Sequence, residues 1–293
     1  MLAKDLIKRI RRIQIRTSHI VSEALAGQYH SAFKGRGMEF EEVRPYQIGD
    51  EIRSIDWNVS ARMGAPHVKV FREERELTVM LAVDLSGSQS FGTHGQLKRE
   101  LLAEIAATLA FSAIRNNDKV GLICFTDQVE LFLPPRKGLR HVLRIIRELL
   151  ALEPKGRGTR IGPAIEELDR VLRKRAVVFV LSDFLDDGFE KALRVARRRH
   201  DVIPICIGDK RESELPNIGL VEFTDAETGN RTVIDTGRRR VRDRFAAGAR
   251  RRQEDLTRMF RRMRIDPVKV NTGESFIEPL TAYFRRREAR RSR

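Results

Sequence analysis

The sequence predicts an α/β fold in which helices cover both faces of a mainly parallel β-sheet. Segments of continuous apolar character, such as LTVMLAVDL at residues 77–85, alternate with segments whose apolar residues recur at helical spacing. Within the apolar segments few polar residues interrupt the run. That is typical of strands buried on both faces, and therefore of a sheet between two helix layers.

The predicted elements follow one another in a regular order from residue 77 onward. A basic amphipathic helix over residues 2–15 and a region of short strands and turns over residues 35–76 come first. Strands are then expected within residues 77–85, 118–135 (a buried strand and a shorter one), 175–184, 201–209 and 266–272. Helices are expected over residues 97–115, 139–150, 161–174, 189–199 and 238–264, and from about residue 275. Residues 217–236 read as a β-hairpin inserted before the helix of residues 238–264.

Composition narrows the classes of protein to which the chain can belong. Of its 293 residues 41% are hydrophobic, which is enough for a sizeable core, and no run of about 18 apolar residues is present. The first residues lack the apolar stretch of a signal peptide, so we expect a cytoplasmic protein. Two cysteines cannot form a disulfide framework. The net charge of +16 favours an acidic partner.

The positive charge is concentrated in two segments. Residues 238–264 contain twelve arginines and residues 285–293, expected to be a frayed basic tail, contain six. The longer segment also has an apolar stripe at helical spacing, formed by Val241, Phe245, Ala249, Leu256, Met259, Phe260 and Met263. It is either a helix that covers the core with arginine stems or a site for nucleic acid or an anionic membrane surface. No aromatic stacking residues or helix-turn-helix pattern accompany the arginines.

Polar side chains follow two of the predicted strands and occupy the loop between them. Asp84, Ser86 and Ser88 end the strand of residues 77–85, Asp183 ends the strand of residues 175–184, and Thr159 precedes a helix. The carboxyl ends of parallel strands meet at one edge of a sheet, where such folds bind their ligands. Two carboxylates and three hydroxyls suit a hard divalent cation, so these residues predict a Mg²⁺ site.

Simpler roles for the same residues stay open at this stage. Asp84, Ser86 and Thr159 could each cap a helix N-terminus. Enzymatic alternatives lack their motifs, because the GRGTRIG segment is not a phosphate-binding P-loop and no GxSxG nucleophile elbow occurs. Nothing in the sequence pairs a nucleophile with a general base, and we expect a protein that is not an enzyme.

Two sets of residues in the chain resemble the motifs of known protein families. Asp84, Ser86 and Ser88 with Thr159 and Asp183 resemble the metal-ion-dependent adhesion site, or MIDAS, of von Willebrand factor A domains. The segments GRGMEFEEVRPYQIGDEIRSIDWNVSAR and KVFREERELTVMLAVDLSGS look like the bacterial family called domain of unknown function 58. Many of its members have Met where this chain has Gln89, a position that is not an ion ligand in that family.

The resemblance implies a six-stranded sheet in the order 3-2-1-4-5-6, with Asp84 and Asp183 facing each other at the switch between its first and fourth strands. It also implies Mg²⁺, with Mn²⁺ or Ca²⁺ as alternatives, and a MoxR-type AAA+ ATPase or its client as a partner offering an acidic residue. The expected organisation is an N-terminal basic helical segment (1–34), a family-signature β subdomain (35–76), a von Willebrand A-like domain (77–284) and the tail (285–293).

The signature segment of residues 35–62 has two interpretations. Its charged residues suggest an ion-pair network around Tyr46 and Trp57. It is either a small β subdomain folded onto the sheet or a surface for a partner. Together these features predict a metal-dependent protein-interaction module, an adaptor for an AAA+ chaperone. The alternative is a polyanion-binding protein that uses its arginine-rich helix and tail.

Overall fold

A computed structural model describes residues 3–21, 25–33, 38–73, 76–93 and 96–291. Its helices are α1 (Ala3–Ile20), α2 (Ala26–Phe33), α3 (Trp57–Met63), α4 (Lys98–Arg115), α5 (Leu139–Ala151), α6 (Ile161–Val171), α7 (Glu190–Arg199), α8 (Arg239–Arg262) and α9 (Ile277–Arg291). Its strands are β1 (Met38–Pro45), β2 (His67–Glu73), β3 (Thr78–Asp84), β4 (Lys119–Phe125), β5 (Val129–Arg136), β6 (Val177–Ser182), β7 (Asp201–Gly208), β8 (Leu220–Thr224), β9 (Arg231–Asp235) and β10 (Val268–Asn271).

The central sheet confirms the predicted α/β class. Its strand order is β5-β4-β3-β6-β7-β10, which is the order 3-2-1-4-5-6 in the numbering of the sheet's own strands. All neighbouring strands are parallel except β5, which returns antiparallel beside β4. The expectation that β5 is the shorter of those two strands is wrong, since it has eight residues and β4 has seven.

Strand β3 shows why the sheet lies between two helix layers. Val79, Leu81 and Val83 point into one hydrophobic cluster, which includes residues of α4, α5 and α9. Met80 and Ala82 point into another, formed with α6 and α7. Because successive side chains of a strand face opposite sides, a sheet covered on both faces needs an unbroken apolar run. The run ends at Asp84, at the edge where the polar loops begin.

The N-terminal helix docks on the protein's own body. Arg9 and Arg16 of α1 form ion pairs with Glu100 and Glu104 of α4, at 2.7 and 3.0 Å. Ile13, on the same helix, is buried in the core. Two of the basic side chains of α1 are therefore paired with acidic residues of α4, and the helix contributes to the core.

The predicted tail does not fray at residue 285, because α9 continues to Arg291. Arg287 is only partly exposed and forms an ion pair with Asp201 at the start of β7. Its guanidinium also lies 4.6 Å from the ring centroid of Phe33 and donates to the carbonyl of Ala32. This arginine holds α9 against α2 and the sheet and is not a free surface cation.

Strand β1 of the signature segment pairs with β2, which follows the segment, in a separate two-stranded antiparallel sheet. Neither strand joins the central sheet. Residues 35–37 of that segment lie outside the described residues. The expected ion pairs are present in part, with Arg44 bonding both carboxylate oxygens of Asp50 at 2.6 and 2.7 Å. Trp57 is 67% exposed, so its indole is not the centre of a buried network.

The inserted hairpin (β8 and β9) and α8 lie between β7 and β10 in the chain. Only the C-terminal end of α8 packs firmly against the core. Phe260, and Met263 just after the helix, are buried there, and Leu256 and Met259 pack against the same core. Most of its arginine side chains point outward. In the parts of the chain that the structure describes, no helix combines the length and the apolar character that crossing a membrane requires.

Candidate metal-binding site

The candidate site lies at the carboxyl ends of β3 and β6, in the middle of the sheet. Strand β3 pairs with β4 on one side and with β6 on the other. The connections that leave the carboxyl ends of β3 and β6 therefore run in opposite directions along the sheet. Loops that diverge there leave a crevice beyond the strand ends. Asp84 is the last residue of β3, and Asp183 directly follows β6.

Four of the five predicted residues form one hydrogen-bonded cluster. The Ser86 amide donates to Oδ1 of Asp84 at 2.9 Å, which bends the loop back toward the strand end. The hydroxyls of Ser86 and Ser88 are 3.1 Å apart. The Ser88 hydroxyl donates to Oδ2 of Asp183 at 2.8 Å and so joins the two strand ends.

Thr159 lies in the loop that adjoins this cluster. The two loops are tied together because the Gly87 amide donates to the carbonyl of Arg157 at 2.8 Å. Thr159 is itself buried, and its hydroxyl donates to Oε1 of Glu227 at 2.7 Å. Glu227 lies in the turn of the inserted hairpin, far from Thr159 in the sequence.

Burial raises the free-energy cost of ionising the carboxylates in this cluster. Asp84 is 0% exposed, and Asp183 is also buried. Burial, together with the nearby charge of Asp183, raises the pKa of Asp84 to about 7. The Ser182 hydroxyl donates to Oδ2 of Asp84 at 2.6 Å and partly compensates for lost water. A cation close to both carboxylates would remove the remaining repulsion.

Lys98 supplies one positive charge that the sequence analysis missed. It is the first residue of α4, is 0% exposed, and donates to Oδ2 of Asp183 at 3.1 Å and to Glu212. Burial lowers the pKa of Lys98, but the charges of Asp183 and Glu212 outweigh that effect and raise it. Lysine is rarely fully buried without partners, so this ammonium belongs to the charge balance of the site.

Gln89 is the second side chain that the sequence analysis did not place in the site. Its Nε2 donates to Ser88 Oγ at 3.2 Å, to Asp183 Oδ2 at 3.1 Å and to Asp84 Oδ2 at 3.4 Å. Its Oε1 is buried and has no hydrogen-bond partner among the described residues. Such an orphaned acceptor is rare in folded proteins. Turning the amide would bring this oxygen toward the carboxylates, which becomes favourable when a cation lies between them.

These features fit a small, hard cation. The candidate donors are oxygen atoms, with the Ser86 and Ser88 hydroxyl oxygens 3.1 Å apart and the Ser88 hydroxyl oxygen 2.8 Å from Oδ2 of Asp183. Adjacent ligands of octahedral Mg²⁺ are about 3.0 Å apart, since each Mg–O bond is about 2.1 Å long. No group of three or more His, Cys, Asp or Glu side chains is gathered as a metal centre within the described ranges. Any ion here would therefore depend on hydroxyl oxygens and water as well as carboxylates.

Comparison with known proteins identifies the family. The family model described as protein of unknown function DUF58 matches residues 42–255. The chain belongs to the DUF58 family. An uncharacterized protein of Mycobacterium tuberculosis is 31% identical over 287 residues, which cover 96% of this chain and 90% of the relative. The uncharacterized protein YeaD of Bacillus subtilis is 27% identical over 153 residues, covering 50% of this chain and 35% of YeaD.

Solved structures with similarity to this DUF58 protein were also found. An aerotolerance-related membrane protein from Bacteroides fragilis has a TM-score of 0.50 at 17% identity, covering 73% of this chain and 99% of that one. A von Willebrand factor type A protein from Catenulispora acidiphila has a TM-score of 0.37 at 12% identity, covering 76% of this chain and 43% of that one.

Proposed function

We propose that this DUF58 protein is a non-enzymatic, cytoplasmic protein-interaction module that binds its partner through a divalent metal ion. The ion would be Mg²⁺, held by Asp84, Ser86, Ser88, Thr159 and Asp183. The partner would offer an acidic side chain, and the partner class implied by the family resemblance is a MoxR-type AAA+ ATPase or its client.

One observation carries this proposal. Two buried carboxylates from different strand ends, Asp84 and Asp183, are linked at the switch point of the sheet through the amide and hydroxyl of Ser86 and the hydroxyl of Ser88. A cluster built only for stability would gain little from a carboxylate whose pKa is raised by burial and by a like charge. Sites that perturb ionisable groups in this way are often functional.

The chemistry of the ligands favours capture of a carboxylate. When bound, Mg²⁺ supplies a positive charge with strong preference for oxygen. The serine and threonine hydroxyls are neutral, so they orient the ion without cancelling its charge. Asp84 and Asp183 fix its position because both are buried and hydrogen-bonded. An acidic side chain from a partner would then be a further oxygen ligand of the ion.

Calorimetric titration with Mg²⁺ tests the metal site directly. Asp84→Asn is preferable to Asp84→Ala, because Asp84 is buried and accepts hydrogen bonds. The position of Asp84 at the end of a strand suggests an edge of the sheet that would tolerate truncation of the side chain, but its burial shows otherwise. Asp118→Asn is the matched control, since Asp118 is a buried carboxylate just before β4, at the opposite edge of the sheet. We expect Mg²⁺ binding by the wild type and the control, and its loss in Asp84→Asn. Unchanged binding in Asp84→Asn would overturn the assignment.

The partner is tested separately, by kinetics against a neighbouring MoxR-type ATPase with Mg²⁺ or EDTA. Losing Asp84 or Thr159 should speed dissociation at every salt concentration, because a short-range contact is lost. Exposed arginines should act mainly on the association rate and its salt dependence. Association that ignores both EDTA and Asp84→Asn would contradict the metal-dependent mechanism.

The polyanion-binding alternative is favoured by one feature, the exposed arginine face of α8. The side chains of Arg239 and Arg258 are 87% and 69% exposed. Each also pairs with an acidic neighbour on the same helix, Asp243 or Asp255, which reduces the free positive charge. Binding to nucleic acid would weaken steeply with salt and would not respond to EDTA.

A further inference from the structure

The tip of the inserted hairpin lies directly on the candidate metal site. Oε1 of Glu227 accepts a hydrogen bond from the Thr159 hydroxyl at 2.7 Å. The backbone carbonyl of Ala226 lies so close to Gly87 that a side chain at that position would clash with it. The tip therefore contacts both loops that carry the proposed ligands, the one with Ser86 and Ser88 and the one with Thr159.

The turn that carries Glu227 is internally ordered. Oδ1 of Asp225 accepts hydrogen bonds from the amides of Glu227 and Thr228, at 2.8 and 3.1 Å. The Asp225 amide donates to the carbonyl of Asn230, and the Gly229 amide donates to the carbonyl of Asp225, each at 2.8 Å. Glu227 is only half-exposed although its neighbours in the turn are exposed. The turn thus holds this one carboxylate toward the protein.

The contact brings a further carboxylate to the edge of the proposed metal site. That site already contains Asp84 and Asp183, and the Lys98 ammonium, which is shared by Asp183 and Glu212, offsets their like charges only in part. The partner atom of Glu227 is the hydroxyl of Thr159, a proposed ligand, and an acidic side chain is what the bound ion would accept from outside. We infer that Glu227 is an internal ligand of the metal site, and that the hairpin occupies the place of the partner's acidic side chain until a partner displaces it. This inference rests on the proposed function.

The rest of the hairpin is suited to being displaced. Leu220 on β8 and Val233 on β9 are 74% and 64% exposed, so the strands contribute little to the core. The hairpin begins after Gly219, whose φ of +81° is a backbone conformation that favours glycine, and is closed at its base by a hydrogen bond from the Thr236 amide to the Gly219 carbonyl. Moving the tip would break few contacts outside the site.

The test compares Glu227→Ala with Glu222→Ala, which removes an exposed glutamate from β8 of the same hairpin. Mg²⁺ affinity is measured by calorimetry, and amide hydrogen exchange over residues 220–235 is measured in Mg²⁺ and in EDTA. We expect Glu227→Ala to weaken Mg²⁺ binding by about tenfold or more, because loss of even a group that only supports the ligands of a metal costs about tenfold or more. We expect Mg²⁺ to slow exchange of the hairpin in the wild type and in Glu222→Ala, but not in Glu227→Ala.

Acetate provides a simple carboxylate probe of the vacated position. Titrations in sodium acetate are compared with titrations in sodium chloride at equal ionic strength. Acetate should strengthen Mg²⁺ binding by Glu227→Ala and leave the wild type unchanged. If the wild type and Glu227→Ala bind Mg²⁺ equally and the ion does not change hairpin exchange, the inference is wrong while the metal site stands. If the wild type binds no Mg²⁺, the proposed function itself fails.

Discussion

Replacing the buried lysine of the site gives the sharpest test of its electrostatics. Lys98→Met keeps the length and the apolar stem of the side chain but removes the ammonium that donates to Asp183 and Glu212. Both carboxylates would then lose their cation. We expect this substitution to destabilise the protein strongly in EDTA and much less in Mg²⁺.

The magnitude follows from burial. Lys98 is 0% exposed, and removing one partner of a buried ion pair costs about 3–5 kcal/mol because the other charge stays buried and uncompensated. At about 2 °C per kcal/mol for a large domain, the melting temperature should fall by about 6–10 °C in EDTA. A Mg²⁺ ion beside Asp183 would replace part of the missing charge, so Mg²⁺ should raise the melting temperature of Lys98→Met more than that of the wild type.

The assay is thermal unfolding followed by circular dichroism, with EDTA or saturating Mg²⁺. Lys69→Met is the matched control, because Lys69 pairs with Asp56 at 3.2 Å but its side chain is 41% exposed. An exposed pair contributes about 0–1 kcal/mol, so this variant should change little. A loss no greater than that of Lys69→Met would refute the buried ion pair. An equal response to Mg²⁺ in Lys98→Met and the wild type would refute the link between the ammonium and the ion through Asp183.

Three further expectations concern other parts of the fold. Burial raises the pKa of Asp118 to about 6, so the folded state binds the carboxyl proton more tightly than the unfolded state does. The free energy of unfolding should therefore fall by about 3 kcal/mol as the pH rises from about 4 to 6. Urea unfolding should show that Asp118→Asn removes this decrease, and an unchanged pH dependence would contradict it. Arg287→Ala should lower the free energy of unfolding by about 2–4 kcal/mol, and the exposed control Arg286→Ala should lower it by less than about 0.5 kcal/mol. Equal effects of the two variants would show that Arg287 does not stabilise the fold. Cys124 and Cys206 are buried and free, and burial raises the pKa of Cys206 to about 12, so a thiol reagent should find two thiols only after unfolding.

Local patterns were sufficient for most of the architecture. The unbroken apolar run of β3 predicts a strand covered on both faces, because side chains that alternate between two cores leave no place for a polar residue. The same reasoning places Asp84 at the strand end, since a carboxylate there breaks the run. Boundaries were less accurate, as with α9, which extends to Arg291, because a basic helix end resembles a frayed tail until its packing is known.

Contacts between distant loops could not be found from such patterns. Lys98 and Asp183 are 85 residues apart, and Thr159 and Glu227 are 68 residues apart. Hydrophobic periodicity reports which face of an element is buried, but it does not report where a surface turn ends or which loop it meets. The sequence by itself determined the α/β class, the family and the polar residues at the strand ends. Only the tertiary structure decided that Lys98, Gln89 and Glu227 join them, because those contacts depend on how the helices and the inserted hairpin cross the edge of the sheet.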